Sequence, residues 1–481
     1  MLKDQELDAL AQGKWQLDCP EIVLSDRKGQ ACVRGHGRIT NAEPGKLRLT
    51  VFADRRDSDG KLPERKDSLP ELPGHLSMRA IDLSGRTWTA GSILVTWRGC
   101  TGESPFWSLA AWCEELRCSR SLTRNPESWP ADQRDEVYHW FCFANRLAFP
   151  VNAVRREKRE EDGQVVSSSE SWDVASFEAC GHSVTMRRDG ERTSLCVSSR
   201  AAQVPPFFDE RIIEALQFVL AQWCGWTILV TTHGPVEEAR VKPLPVFPLH
   251  PDVVALMAPV DIRRTNALAT WDLFAAYLGH IHGWGRKEWH PVSQFLRSVL
   301  VAAFTMPEEM ILPLCVAIEG VLNQEYPSVP KAPAGLRDAL ADVLSCAEAA
   351  RREGRLDVTQ EHLTRLGRIL SATLGYPEPG DKARDRLLRL AAAGALDARQ
   401  VGAWASLRNY ITHGRPKLNS LSGTEPFTDG DILLVLYRLI FNAIGYRGKY
   451  TDWAAPSAPL VDFVPIDVAR ADDECQEHPS A

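Results

Sequence analysis

Five prolines between His233 and Asp252, at positions 235, 243, 245, 248 and 251, constrain this chain more than any other stretch. Proline fixes φ and removes a backbone donor, so such a density interrupts helices and central strands alike. The two sides differ in period. Upstream, short runs such as Glu21-Ile22-Val23-Leu24, Gly45 to Phe52 and Ser92 to Trp97 alternate apolar and polar residues between Gly, Asp and Asn, which predicts antiparallel strands. The polar stretch Asp54 to His75 predicts a long surface loop, and the charged run Arg155 to Gly163 a hairpin end. Asp209 to Trp223 carries apolar residues at 212, 213, 216, 219 and 220, a helical stripe.

Downstream the period becomes helical. Thr305-x-x-Glu308 and Thr428-x-x-Asp431 are candidate capping boxes ahead of Ile311 to Leu322 and Ile432 to Ala443, with Pro313 either kinking the first helix or marking its first turn. The expected fold class is α+β multidomain, with β-rich N-terminal domains followed by a C-terminal all-α helical bundle. The predicted boundaries are a β-rich domain over 1–135, a second β-rich segment with a helix over 136–235, a Pro-rich linker over 236–254, a helical domain over 255–452 and a mobile acidic tail over 453–481.

A chain of 481 residues with 44% hydrophobic and 25% charged residues is globular and large enough for several cores. The apolar runs Ile212 to Val230 and Ile432 to Ile444 are broken by polar residues and fall short of a bilayer span, and Met1 to Gln5 does not start like a signal peptide. These features predict a cytoplasmic protein that does not enter a membrane. Twelve scattered cysteines without a Cys-x-x-Cys pair predict reduced, mostly buried thiols. A net charge of −7 disfavours indiscriminate coating of nucleic acid. Between 381 and 417, however, eight basic residues face three acidic ones, a local excess of five positive charges.

That excess surrounds the segment from Ala403 through Arg408, Asn409, Tyr410 and His413 to Gly414, Arg415 and Pro416. Gly414 suits a left-handed C′ position and Pro416 cannot continue a helix, so His413 is predicted in the last turn, where the helix dipole favours imidazolium. Asn409 and His413 share a face, whereas Arg408 is turned about 140° from His413 and aligns with Trp404 and Ile411. A guanidinium in an apolar stripe needs an anion, a carbonyl or a partner chain. The conflict marks a candidate site.

Arg408, Asn409 and His413 match the Arg-x(4–6)-His signature of the HEPN superfamily, with the frequent Asn after the Arg. With Ala317-Ile318-Glu319 upstream, the chain most resembles the ApeA-like HEPN family of antiphage defence proteins. The strand-rich region, with Gly13-x-Trp15 and Gly35-x-Gly37-x-Ile39, faintly resembles the domain that accompanies such HEPN domains. The resemblance implies an HEPN helical bundle over the C-terminal two-fifths and a homodimer through it. It also implies a metal-independent endoribonuclease needing no cofactor, with an abortive-infection role, transfer RNA as a candidate substrate and a phage-derived trigger as a candidate partner.

In that chemistry the ribose 2′-hydroxyl attacks the phosphate. His413 serves as general base or acid, Arg408 forks onto the phosphate, and Asn409 orients His413. Glu319 is a candidate support through Arg408 or His413, and reads equally well as an edge carboxylate in a surface ion pair. Tyr410 and Arg415 flank the motif, and surface packing is the better reading for both. A non-catalytic HEPN-type RNA-binding or nucleotide-binding module is the alternative function, with the N-terminal region as sensor or substrate selector in the first reading.

Other signals are weaker. His280, His282 and His290 would share a face only on a strand, so they are read as solvated loop histidines, with no metal site expected. Trp88, Trp97, Trp107 and Trp112 are read as core or packed edge, with a stacking face as the second choice. No phosphate-binding glycine loop is present.

Overall fold

The computed structural model of the chain describes residues 4–54, 76–99, 106–122, 135–143, 145–161, 164–190, 192–244, 256–263, 267–304, 307–326, 336–356, 382–413 and 429–466, with short pieces between 358 and 365. The predicted loop after Asp54, residues 245–254 of the predicted Pro-rich linker, Thr305, Thr428 and the tail from 467 onward lie outside the described residues, whereas Val236–Val241 of that linker form a strand, the linker's prolines falling after it. The chain divides into two compact units. The first comprises Met1–His290 and Gly448–Thr451, and the second Pro291–Arg447 and Asp452–Ala481.

The first unit begins with helix α1 (Asp4–Ala11) and strands β1 (Gln16–Ser25), β2 (Ala31–Glu43), β3 (Lys46–Asp54), β4 (Leu76–Ile81), β5 (Thr87–Gly99) and β6 (Phe106–Cys113). They pair antiparallel in the order β4-β1-β2-β3-β6-β5, and a further β4–β5 ladder closes the barrel. Alternation builds it. Leu47, Leu49 and Val51 point inward while Lys46, Arg48 and Thr50 point out, so one row of every strand joins a core with Ile22, Leu24 and Ile39. Leu7 and Leu10 of α1 join that core, and buried Asn41 ties the helix end down by donating to the Leu10 carbonyl at 2.7 Å.

The glycine motif of β2 has a steric cause. A Cβ on Gly37 would lie 1.9 Å from the Thr50 carbonyl oxygen and one on Gly35 2.3 Å from that of Phe52, so no side chain fits where β2 closes on β3. Pro20 sits at the break in register between Cys19 and Ile22, where its missing donor is tolerated.

From β5 the ladder continues through β7 (Leu116–Ser121) into further antiparallel strands, with β8 (Glu136–Phe143), β9 (Ala153–Glu161), β10 (Gln164–Ala179), β11 (His182–Asp189), β12 (Arg192–Arg200), β13 (Trp226–His233) and β14 (Val236–Val241). Their order is β7-β14-β13-β8-β12-β11-β10-β9. Helix α2 (Phe208–Leu220) is buried along its length, the charged Arg211 and Glu214 included, and α3 (Ala267–Ile281) packs on it and on β10. The Trp271 ring stacks on Phe177 of β10 at 4.3 Å.

Buried histidines give this region a pH signature. His139 is 7% exposed, and burial, the largest cause, holds its pKa down at about 4, with His182 and Arg240 acting in the same direction and Asp209 opposing. The unfolded state takes up this proton below about pH 6.5 while the folded state resists it until about pH 4. Stability should therefore fall by about 3 kcal/mol across that window and level off below it, at about 1.4 kcal/mol per pH unit of separation. Burial also depresses His182 and His282, which adds in the same direction. Urea titrations from pH 7 to 4 should show the fall, flattened in His139→Gln; an equal slope in the variant would remove His139 from the account.

The second unit contains α4 (Pro291–Ala303), α5 (Pro307–Glu325), α6 (Leu336–Arg352), α7 (Ala383–Ala392), α8 (Ala398–His413) and α9 (Asp429–Ala443). Helix α9 is apolar nearly all round, buried from Ile432 through Tyr437 and again from Leu439 to Phe441, and α5 and α8 pack on it. Pro313 lies inside α5, so that helix begins earlier than the proline. Among the described residues no helix is long and apolar enough to cross a membrane.

The N-terminal region is β-rich as expected, but the C-terminal all-α HEPN helical bundle is overturned. Residues Gly448–Thr451, inside the predicted helical domain, form strand β15 and belong with the first unit, and Leu460–Phe463, inside the predicted mobile tail, instead form strand β16 in the second unit, held by Phe463 packing on Phe441. Helix α3, predicted within that bundle, is instead part of the β-rich unit. Helical periodicity reports an apolar stripe and not what covers it, and aromatic residues of α3 find their partner in β10.

Candidate functional site

Helix α8 runs unbroken to His413, so the predicted last-turn position of that residue stands. Its inner face carries Val401, Ala403 and Trp404, all buried, and the stripe brings Arg408 one turn beyond Trp404. The guanidinium lies 5.9 Å from the Trp404 ring centroid, and its Nε donates to Oε1 of Glu319 on α5. This hydrogen bond, the largest cause, holds the Arg408 pKa above its ordinary value. The two side chains are 43% and 30% exposed, so the pair contributes under about 1 kcal/mol and can exchange its partner for another anion.

Around the pair lies a groove of about 430 Å³. Glu319 and Asn323, four apart on α5, form one wall, Arg408 and Asn409 of α8 a second, and Lys382 with Arg384 at the start of α7 a third. Lys382 offers α7 no side-chain cap, so the positive end of that helix adds to the charge of the groove. Arg386 lines it too, but its guanidinium is committed: it donates to the carbonyls of Leu322 and Tyr326 at 3.1 and 2.9 Å and to Asn323 Oδ1 at 2.6 Å. It thereby closes the C-terminal end of α5 and positions the groove wall. Among the described lining residues four cations face one carboxylate, Glu319, which favours a phosphate-bearing ligand.

Of the predicted site residues, the structure thus brings together Arg408, Asn409 and Glu319. The side chains of Tyr410 and His413, and all of Arg415, lie outside the described residues. The charge excess pointed to Lys382, Arg384 and Arg386, whereas Asn323 was missed; its four-residue spacing from Glu319 was the available signal. Arg399, counted in the same excess, pairs with Asp431 at 3.2 Å.

The histidine segment is not a solvated loop. His282 Nε2 lies 3.1 Å from Nε2 of His182, whose Nδ1 meets Ser199 Oγ at 2.7 Å, and His290 is buried with its ring 5.3 Å from that of His280. Trp88 is core, with Nε1 donating to Asp82 at 3.0 Å, while Trp112 is half-buried on the barrel; the side chains of Trp97 and Trp107 lie outside the described residues. Six of the cysteines are buried, in line with the expectation, while Cys180 and Cys346 are exposed.

No family model, curated protein or solved structure matches this chain.

Proposed function

We propose that the chain is a metal-independent endoribonuclease, transfer RNA being a candidate substrate, that acts in antiphage defence. The observation that carries this reading is the exchangeable Arg408–Glu319 pair at the mouth of a groove edged by Lys382 and Arg384. RNA phosphate displaces Glu319 from the guanidinium fork, and Arg408 meets the charge that grows on the phosphate in the transition state. His413, at the end of the same helix, exchanges a proton with the 2′-hydroxyl or the leaving 5′-oxygen, and Asn409 orients it. The motif's resemblance to the ApeA-like HEPN family supports the assignment, although the all-α bundle is no part of it.

One imidazole cannot serve as acid and base in a single step, and helical geometry sets His413 about 140° from Arg408. A second copy of the chain supplies the complementary groups, so the active form is a homodimer. The β-rich unit acts as sensor or substrate selector.

Attack by the 2′-hydroxyl leaves a 2′,3′-cyclic phosphate and a 5′-hydroxyl. Cleavage should persist in excess EDTA, fail on the deoxy analogue and give fragments that polynucleotide kinase labels without phosphatase treatment. Inhibition by chelator, or equal cutting of deoxy substrates, defeats the mechanism.

A further inference from the structure

Neighbouring residues of a strand point to opposite sides, so the buried, mutually aligned Leu49, Ile39 and Ala111 fix the residues between them as the outer wall of the barrel. That wall is basic and aromatic across β2, β3 and β6. His36 lies across from Phe52, and their rings stack at 5.6 Å and 30°. Arg48 lies across from Trp112, whose ring faces the Arg48 guanidinium at 5.8 Å and the Lys46 ammonium at 5.1 Å. Arg38 sits between these two clusters, across from Thr50. The register brings Asp18 beside Arg38, and Arg34 and Arg48 lie on the same face as Arg38.

Apolar surface is mixed with the charge. Leu94, next to Trp112 on β5, is 58% exposed, and Leu83 is 78% exposed at a groove of about 400 Å³ edged by His36, Arg38 and Phe52. Arg48 and Phe52 are four residues apart on β3, so the two aromatic centres stand about 13 Å from each other, with Arg38 between. Cations that track a backbone and ring faces that take up bases are the two requirements for holding a single strand without reading its sequence. An acidic protein would meet the arginines but leaves the aromatic rings without a role. A duplex hides its bases from them.

We propose that this outer barrel wall binds single-stranded nucleic acid, with phosphates on Arg38 and Arg48 and bases against Phe52 and Trp112. The site is built from residues remote in sequence from Arg408 and His413 and stands whether or not those residues cut RNA.

The test uses the full chain and a fluorescent oligothymidylate of about twelve nucleotides, which has no 2′-hydroxyl to be attacked. Anisotropy titrations should show binding that weakens about tenfold or more in Trp112→Ala and in the double variant Arg38→Glu/Arg48→Glu, each checked for folding by thermal unfolding. In the double variant the slope of log affinity against log salt should shrink by about 1.4, at about 0.7 for each lost phosphate contact. If the glutamates prevent folding, Arg38→Gln/Arg48→Gln carries the same expectation. The proposal is overturned by failure of the wild-type chain to bind, by unchanged affinity in both variants, or by equal affinity for the duplex or for polyglutamate. Failure here leaves cleavage untouched, since that reading depends on His413 and on ribose.

Discussion

Replacing His413 with alanine is expected to slow RNA cleavage by about 10² to 10⁴-fold, the range that a positioned general acid or base contributes. The residue is the last of α8, and Val401, Ala403 and Trp404 upstream hold the helix in place. Arg408→Ala should cost about 10² to 10³-fold by removing charge stabilisation from the transition state, with under about 1 kcal/mol lost in stability because its pair with Glu319 is part-exposed. Arg408→Lys separates charge from geometry. It keeps the cation but loses the planar fork, and should recover only a small part of the rate. Single-turnover cleavage of a labelled RNA by each variant, beside its melting curve, makes the measurement. A folded His413→Ala chain that cuts at the wild-type rate would end the assignment, and light scattering should find the active form at twice the mass of one chain.

The barrel was legible in the sequence because each strand has one buried face. From Lys46 to Phe52 every second residue is apolar, and the structure buries that row. Strands β15 and β16, four residues each, are too short for alternation to register. The position of α8 was legible from Gly414 and Pro416, and Arg408 stood out as a cation in an apolar stripe. Its partner was harder to read, since Glu319 is 89 residues away and an edge carboxylate looks the same whatever it faces. The contact between His182 and His282 was invisible for the same reason, at a separation of 100 residues. Glu214 counted in the sequence only as an interruption of an apolar run. The structure gives it a counterion inside the core.

That counterion carries the largest stability effect expected in the first unit. Arg211 Nη2 lies 2.7 Å from Glu214 Oε1, one turn along α2, and neither side chain has exposed surface. The same Nη2 donates to the Glu288 carbonyl at 3.1 Å, and the His290 amide donates to Glu214 Oε2 at 3.2 Å, so the pair fastens the segment that follows α3 to α2. Removing one partner leaves the other charge buried. Arg211→Met should therefore cost about 3 to 5 kcal/mol. Removing both is a different case, because Nε and Nη1 of Arg211 find no hydrogen-bond acceptor among the described residues and the guanidinium has already given up most of its hydration for two contacts. Arg211→Met/Glu214→Leu refills the space with apolar atoms and should lie within about 2 kcal/mol of the wild type, the residual loss being the hydrogen bond from the His290 amide to Glu214. A double-mutant cycle in urea reads the difference as coupling. If the double variant is as unstable as the sum of its parents, the two charges do not compensate each other, and α2 is held by its apolar faces alone.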